Sequence, residues 1–125
     1  MAYILTAQIF SCWFLTGLIW LVQVLVYPNF CLVGKIEFKN FHEFHLNRIT
    51  WVVAPVMGLE LLSGILLFVK DHSAFYLCNA FSIVVLWILT GLVNVPSHNY
   101  LLHEEEITKR RLIVSNWPRT VLWTV

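Results

Sequence analysis

The sequence predicts an all-α fold, a four-helix transmembrane bundle with an amphipathic interfacial segment before helix 2, in one domain over residues 1–125. Two observations lead to this prediction. Of the 125 residues, 59% are hydrophobic and only 12% are charged, and the mean hydropathy is +0.76. A soluble domain of this size has too little interior to bury so much apolar surface. The apolar residues are also gathered in four runs separated by short polar loops, which is typical of a membrane protein.

The first three runs cover roughly residues 2–27, 49–69 and 75–95. Each reaches about the 20 residues that a helix needs to cross the hydrocarbon core of a bilayer. The fourth run begins near Leu112 and continues to Val125, so it reaches that length only by extending back into the charged stretch LHEEEITKRR. Pro118 is expected to kink this last helix, because proline lacks an amide hydrogen and crowds the preceding turn.

The segment between the first two runs predicts an amphipathic helix at the membrane surface. Phe38, Phe41, His42 and His45 recur there at helical spacing, which gives one apolar face. The second and third runs are joined only by the residues around 70–73. So short a link predicts that these two helices are antiparallel neighbours.

The distribution of basic residues predicts the orientation in the membrane. Lys35, Lys39 and Arg48 lie in or near the first loop and residues 109–111 are all basic, whereas the second loop contains only Lys70. Short loops rich in lysine and arginine stay in the cytoplasm. We therefore expect an integral membrane protein with both termini outside the cytoplasm.

The aromatic residues at the ends of the runs resemble two interfacial belts. Such belts lie at the level of the lipid headgroups. By their positions along the runs, the expected members are Tyr27, Trp51, Tyr100 and Trp117 on the cytoplasmic side and Tyr3, Tyr76 and Trp123 on the other side.

Charge and cysteine content exclude two classes of function. The net charge is +1, so nucleic acid is not an expected partner. The three cysteines are far apart and form no CxxC motif, so neither a disulfide framework nor a thiolate metal site is predicted. The expected partners are the lipid bilayer, a hydrophobic small molecule and, as a homo-oligomer, further copies of the chain.

Two charged residues inside apolar runs predict an intramembrane pair. Glu60 lies about 16 Å beyond Ile49 and Arg119 lies about 10 Å beyond Leu112, on helices that run in the same direction. A charge in the middle of a bilayer costs at least about 2.5 kcal/mol, so such residues normally face inward and pair. A Glu60–Arg119 pair would serve either catalysis or the clasping of two helices. Asn116 and Arg48 complete the candidate catalytic set.

Histidines at one depth predict a second candidate site. His45 and His98 lie at the cytoplasmic ends of helices two and three, with His42 or Gln23 nearby. Histidine is a common metal ligand and a haem axial ligand, so these residues suit haem or a transition metal. The alternative is that they hydrogen-bond loops and headgroups. His45 and Glu60 are about 22 Å apart along one helix and cannot bind one ion.

Four stretches of the sequence carry a resemblance to a known group, namely VQVLVYP, HLNRITWVVAPVMGLE, VPSHNYL and LIVSNWPRTVLWT. They resemble small four-helix bacterial integral membrane proteins of unknown function, which are similar to the anthrone-oxygenase-like family. The resemblance covers roughly a third of the chain and includes Gln23, His45, Arg48, Glu60, His98, Asn116 and Arg119. It implies oxygen-dependent oxidation of polyketides. GLIWLVQVLVYPNF has a fainter similarity to the haem-binding protoporphyrinogen oxidase family, although the first helix contains no histidine.

These observations leave alternative functions open. One is a cofactor- or metal-dependent oxidoreductase that acts on a hydrophobic small molecule entering sideways from the lipid. The other is a non-enzymatic accessory or oligomeric subunit whose polar residues hold the helices together. A transporter is a third alternative, but four short helices need to oligomerise to enclose a pathway.

Overall fold

The computed structural model describes residues 1–94 and 107–125, with the backbone alone at 35, 93, 94 and 107–112. The described chain is helical and contains no strand, as the sequence predicted. The bounds of its four helices are Ala2–Phe30 (α1), Lys35–Lys70 (α2), Ala74–Leu89 (α3) and Ile107–Thr124 (α4).

Three of these helices are long and apolar enough to cross a membrane. They are α1, α2 and the third helix through Leu92. Helix α4 begins at Ile107 and continues through Pro118, so it does extend back from Leu112 as predicted. The kink at Pro118 stays a prediction.

The predicted interfacial segment and the second apolar run form one continuous helix of 36 residues, α2. Phe38 and His42 at its start are buried, whereas Lys39 and Glu43 are exposed, so this part of α2 is amphipathic. Its buried side packs on Phe30 at the end of α1. The ring of Phe30 lies 5.7 Å from that of Phe38 and 5.6 Å from that of His42, edge to face in both cases.

Pairs of contacting residues define an up-down-up-down bundle. Gln8 meets Ser63, and Phe30 meets His42, so α1 and α2 are antiparallel. The link Asp71–Ser73 makes α2 and α3 antiparallel neighbours, as the sequence predicted. Helix α4 is antiparallel to α1, because Thr16 donates to the carbonyl of Trp123 and Gln23 donates to that of Ile113.

Helices α1 and α3 both widen into a π-helical turn near the same end of the bundle. These turns are Val22–Val26 and Thr90–Asn94, and the amide of Tyr27 bonds to the carbonyl of Val22, five residues back. Pro28 follows the first of them in the sequence. Proline cannot donate a backbone hydrogen bond and crowds the carbonyl four residues before it, which the wider turn Val22–Val26 relieves. Turns of this kind are frequent at functional sites.

Of the glycines in the chain, Gly64 of α2 has the closest neighbouring atoms, so its replacement tests the packing between helices. A Cβ at Gly64 would lie 2.5 Å from Cδ1 of Ile83, whereas one at Gly17 would have no atom within 4 Å. Both changes to alanine improve helix propensity equally. We expect Gly64→Ala to be less stable than Gly17→Ala by at least about 1 kcal/mol, because overpacking displaces Ile83. SDS titration in mixed micelles measures the difference, and equal stabilities would contradict it.

Candidate ligand cavity and its polar clusters

Helix α4 presents one polar and aromatic face to the inside of the bundle. Three further residues follow Asn116 by three, four and seven positions, so all four share one side of the helix. They are Arg119, Thr120 and Trp123. All four are buried, and Arg119 is only 7% exposed. The face therefore places a cation, an amide, a hydroxyl and an indole against α1, α2 and α3.

Glu60 accepts hydrogen bonds from two other helices. Nε1 of Trp123 donates to the carboxyl group, at 3.2 Å from Oε1 and 3.5 Å from Oε2. The Cys12 thiol donates to Oε1 at 3.6 Å. Glu60 is 1% exposed, so these protein donors replace the water that would solvate a surface carboxyl group.

Next to Glu60, hydrogen bonds continue across α1, α2 and α3. The Ser63 hydroxyl donates to Oε1 of Gln8 at 2.6 Å, and Nε2 of Gln8 donates to Oδ1 of Asn79 at 3.4 Å. We refer to Gln8, Cys12, Glu60, Ser63, Asn79 and Trp123 together as the Glu60 cluster. It links all four helices through side chains alone.

A second polar group, the Gln23 cluster, consists of Gln23, Asn116 and Arg119. Asn116 Nδ2 donates to Oε1 of Gln23 at 2.8 Å, and Arg119 Nη1 donates to Oδ1 of Asn116 at 3.4 Å. Nε2 of Gln23 donates to the carbonyl of Ile113 at 3.0 Å. Along α1, Gln23 lies roughly 22 Å from Gln8, so the two clusters lie at different depths.

Trp123 of the Glu60 cluster contacts Arg119 of the Gln23 cluster. The guanidinium carbon of Arg119 lies over its ring, 4.8 Å from the centroid, while the indole N–H donates to Glu60. The Trp123 indole thus contacts both Glu60 and Arg119, and a direct Glu60–Arg119 ion pair stays a prediction. Trp123 follows Arg119 by one turn on the same face and lies at the depth of Glu60, so its side chain takes the position beside the carboxyl group.

A cavity of about 230 Å³ lies beside Trp123 and Arg119 and is partly open to the surface of the bundle, where Thr50, Ala54 and Trp87 in its wall are exposed. Most of its wall is aliphatic, and its polar or aromatic lining residues are Tyr27, His45, Thr50, Trp87, Thr90, Arg119 and Trp123. Arg119 and Tyr27 are close enough to interact electrostatically. The cavity is thus an apolar space with a cation and a phenol in its wall.

The histidines predicted to bind a cofactor have different surroundings. His42 is fully buried and stacks on Phe38 with 5.5 Å between ring centroids, which is a packing role. His45 lines the cavity and lies edge-on to Phe30 at 5.4 Å. His98 lies outside the described residues, so a His45–His98 metal or haem site stays a prediction. In residues 1–94 and 107–125, no group of three or more His, Cys, Asp or Glu residues could hold a metal ion.

The remaining predicted site residues divide between the inside and the outside of the bundle. Gln23, Asn116 and Arg119 are brought together, and Glu60 lies beyond Trp123. Arg48 is exposed, and its guanidinium lies over the Phe44 ring at 5.3 Å.

Tyr27 and Trp123 were expected in the interfacial belts and are instead buried. Helical spacing contained a signal for Trp123, because it lies four residues after Arg119 and seven after Asn116. No comparable signal pointed to Cys12 or Ser63, which resemble ordinary small residues in an apolar helix.

The amide pair of the Gln23 cluster provides a second test of packing. Gln23→Met and Asn116→Leu each remove one partner of the 2.8 Å hydrogen bond at similar volume. In a double-mutant cycle we expect a coupling energy of about 0.5–2 kcal/mol, the range for interhelical hydrogen bonds in membranes. Gln23→Met combined with Gln8→Met, far apart on α1, should be additive. A coupling of zero for the first pair would show that the hydrogen bond contributes nothing to stability.

No protein-family model, curated protein or solved structure matches the chain. The resemblance to the anthrone-oxygenase-like family accordingly stays a prediction. The function has to be argued from the cavity and its two polar clusters.

Proposed function

We propose that this chain is an integral membrane protein that binds a hydrophobic aromatic molecule with an acidic oxygen in its cavity and oxidises it. The observation that carries the proposal is the placement of Arg119, a buried cation in the wall of a mostly apolar cavity. A guanidinium donates strong hydrogen bonds to anionic oxygen atoms. A phenolate or enolate oxygen bound in the cavity would accept such a hydrogen bond from Arg119.

The distribution of polarity supports residence in a bilayer. Large apolar side chains cover the outside, with Trp13 75% and Phe81 68% exposed, whereas Gln8, Glu60 and Asn116 are buried. In a soluble protein such large exposed apolar patches would promote aggregation. In lipid, polar groups turn inward to find partners. The bacterial inner membrane, with both termini outside the cytoplasm, is the location we propose from the basic loops.

The cavity favours a small, flat ligand. Its volume of about 230 Å³ is below the roughly 300–1,000 Å³ of most ligand pockets, so it admits a compact molecule or part of a larger one. Trp87 and Trp123 provide aromatic surfaces that a ring system can pack against. Arg119 and the Tyr27 hydroxyl would hold the oxygen and stabilise negative charge that develops on it.

For oxidation we propose that His45, whose imidazole lines the cavity, helps to hold the redox group. A haem or transition metal held by His45 and His98 would supply the redox chemistry. The residues named here would bind and orient the ligand and exclude water from it.

One observation favours the alternative, a non-enzymatic accessory or oligomeric subunit. Side-chain hydrogen bonds join helices at two places, between Gln8 and Ser63 and between Gln23 and Asn116. Such bonds hold transmembrane helices together. These hydrogen bonds do not account for the apolar cavity beside Arg119. The ligand-binding function therefore explains more of the structure.

The test is binding of 1-naphthol to the protein in phosphatidylcholine nanodiscs, by calorimetry corrected with empty nanodiscs. We expect saturable binding at least about tenfold tighter than that of naphthalene, because a hydrogen bond to a charged group contributes roughly 1.5–3 kcal/mol. Elemental analysis and a visible spectrum of the same sample test for metal and haem. Absence of saturable binding, or equal affinity for the two compounds, would favour the accessory subunit.

A further inference from the structure

A second void, which we call the groove, lies between the end of α1 and the first half of α2. Its volume is about 340 Å³, and its lining residues are Leu21, Val22, Val26, Asn29, Phe41, Phe44, His45, Arg48, Ile49 and Val52. Leu21, Phe44 and Val52 are exposed on the outer surface of the bundle. The groove is therefore open on the side where lipid would lie.

The groove and the cavity share part of their walls. Val22, His45 and Ile49 line both voids. The two voids thus adjoin each other at these three residues. Val22 also begins the π-helical turn of α1, where the backbone departs from regular α-helical geometry.

An arginine side chain lines each of the two voids. Arg48 lines the groove and is exposed, with its guanidinium over the Phe44 ring, and Arg119 lines the cavity. The walls of the groove are otherwise mostly aliphatic or aromatic. A hydrophobic molecule with an acidic oxygen would meet a complementary charge first at Arg48 and then at Arg119.

We propose that the groove is the lateral entrance through which the ligand passes from the bilayer into the cavity, with His45 and Ile49 as the movable partition. This inference rests on the proposed function and adds the route to the site. The continuity of the two voids, and a cation in each, favour the same ligand as the occupant of both. Rotation of two side chains opens the route, so no helix has to separate.

A substitution in an entrance changes the association and dissociation rate constants together and leaves the dissociation constant unchanged. Kinetic measurements therefore test the inference. Stopped-flow measurement of 1-naphthol binding to the protein in phosphatidylcholine nanodiscs gives both rate constants. Val52→Trp narrows the outer mouth and should lower the association and dissociation rate constants together by at least about fivefold, with an unchanged dissociation constant. Val69→Trp, at an exposed position of α2 that lines neither void, is the matched control and should alter neither.

The possible failures are distinguishable. If wild-type protein does not bind 1-naphthol, the proposed function and the entrance both fall. If the wild-type protein binds 1-naphthol and Val52→Trp has the same rate constants as Val69→Trp, the proposed entrance is contradicted and the proposed function is not. If Val52→Trp weakens the affinity at an unchanged association rate, the groove is part of the binding site or holds a lipid, and the entrance falls as well.

Discussion

Replacing Trp123 by phenylalanine should lower the free energy of unfolding by about 2–3 kcal/mol, because the buried carboxyl group of Glu60 loses its nearest N–H donor. Phenylalanine keeps most of the packing but cannot donate a hydrogen bond. It also offers Arg119 a weaker partner than indole, whose ring now lies 4.8 Å from the guanidinium carbon. SDS titration monitored by circular dichroism measures the change.

The matched control for this change is Trp13→Phe. Trp13 is 75% exposed on α1, so its replacement should alter stability by no more than about 0.5 kcal/mol. In a Glu60→Leu background, Trp123→Phe should cost much less than in the wild type, since the acceptor is already gone. Equal costs in the two backgrounds would show that the Trp123–Glu60 hydrogen bond is not what stabilises this part of the bundle.

Replacing Arg119 by methionine should remove the preference of the cavity for an acidic oxygen. We expect the affinity for 1-naphthol to fall by about 10- to 100-fold, the equivalent of one hydrogen bond to a charged group. The affinity for naphthalene should change little, because methionine keeps an apolar side chain of similar length in the wall. Calorimetry with both compounds on both proteins gives the four dissociation constants that are needed.

Arg119→Lys provides the matched control. It retains a positive charge but loses the planar group that lies over Trp123 and donates to Asn116, so an intermediate affinity is expected. If Arg119→Met weakened the binding of both compounds equally, the effect would be a general collapse of the cavity. Unchanged affinity for 1-naphthol would remove Arg119 from the binding site and leave its burial unexplained by the proposed function.

Much of the helical architecture could be predicted from local sequence. Hydropathy and run length predicted α1, α3 and the C-terminal part of α2 to within a few residues, because hydropathy is summed along one segment and requires no partner. The short loop at residues 70–73 predicted the antiparallel hairpin for the same reason. The sequence did not predict that α2 begins at Lys35 and includes the amphipathic segment. Glu60 and Arg119 were expected to face inward on energetic grounds that hold for any lipid-embedded helix.

The partners of these residues could not be predicted in the same way. A contact between helices depends on the rotation of each helix about its axis and on the axial offset between helices, and both are set by the packing of many side chains at once. Gln23 and Asn116 were placed in the same half of the bundle by depth alone, and the structure turns them into a hydrogen-bonded pair. Glu60 and Arg119 were also placed close together, and in the structure the Trp123 indole contacts both.

The amino-acid sequence by itself determined that the chain is helical, that three of its helices can cross a membrane and that several polar residues must turn inward. Only the tertiary structure decided that Trp123 connects the two polar clusters, that an apolar cavity opens beside Arg119 and that a groove adjoins this cavity through His45. The reason is physical. Burial preference belongs to each residue, whereas a cavity exists only where side chains from several helices fail to fill the space between them.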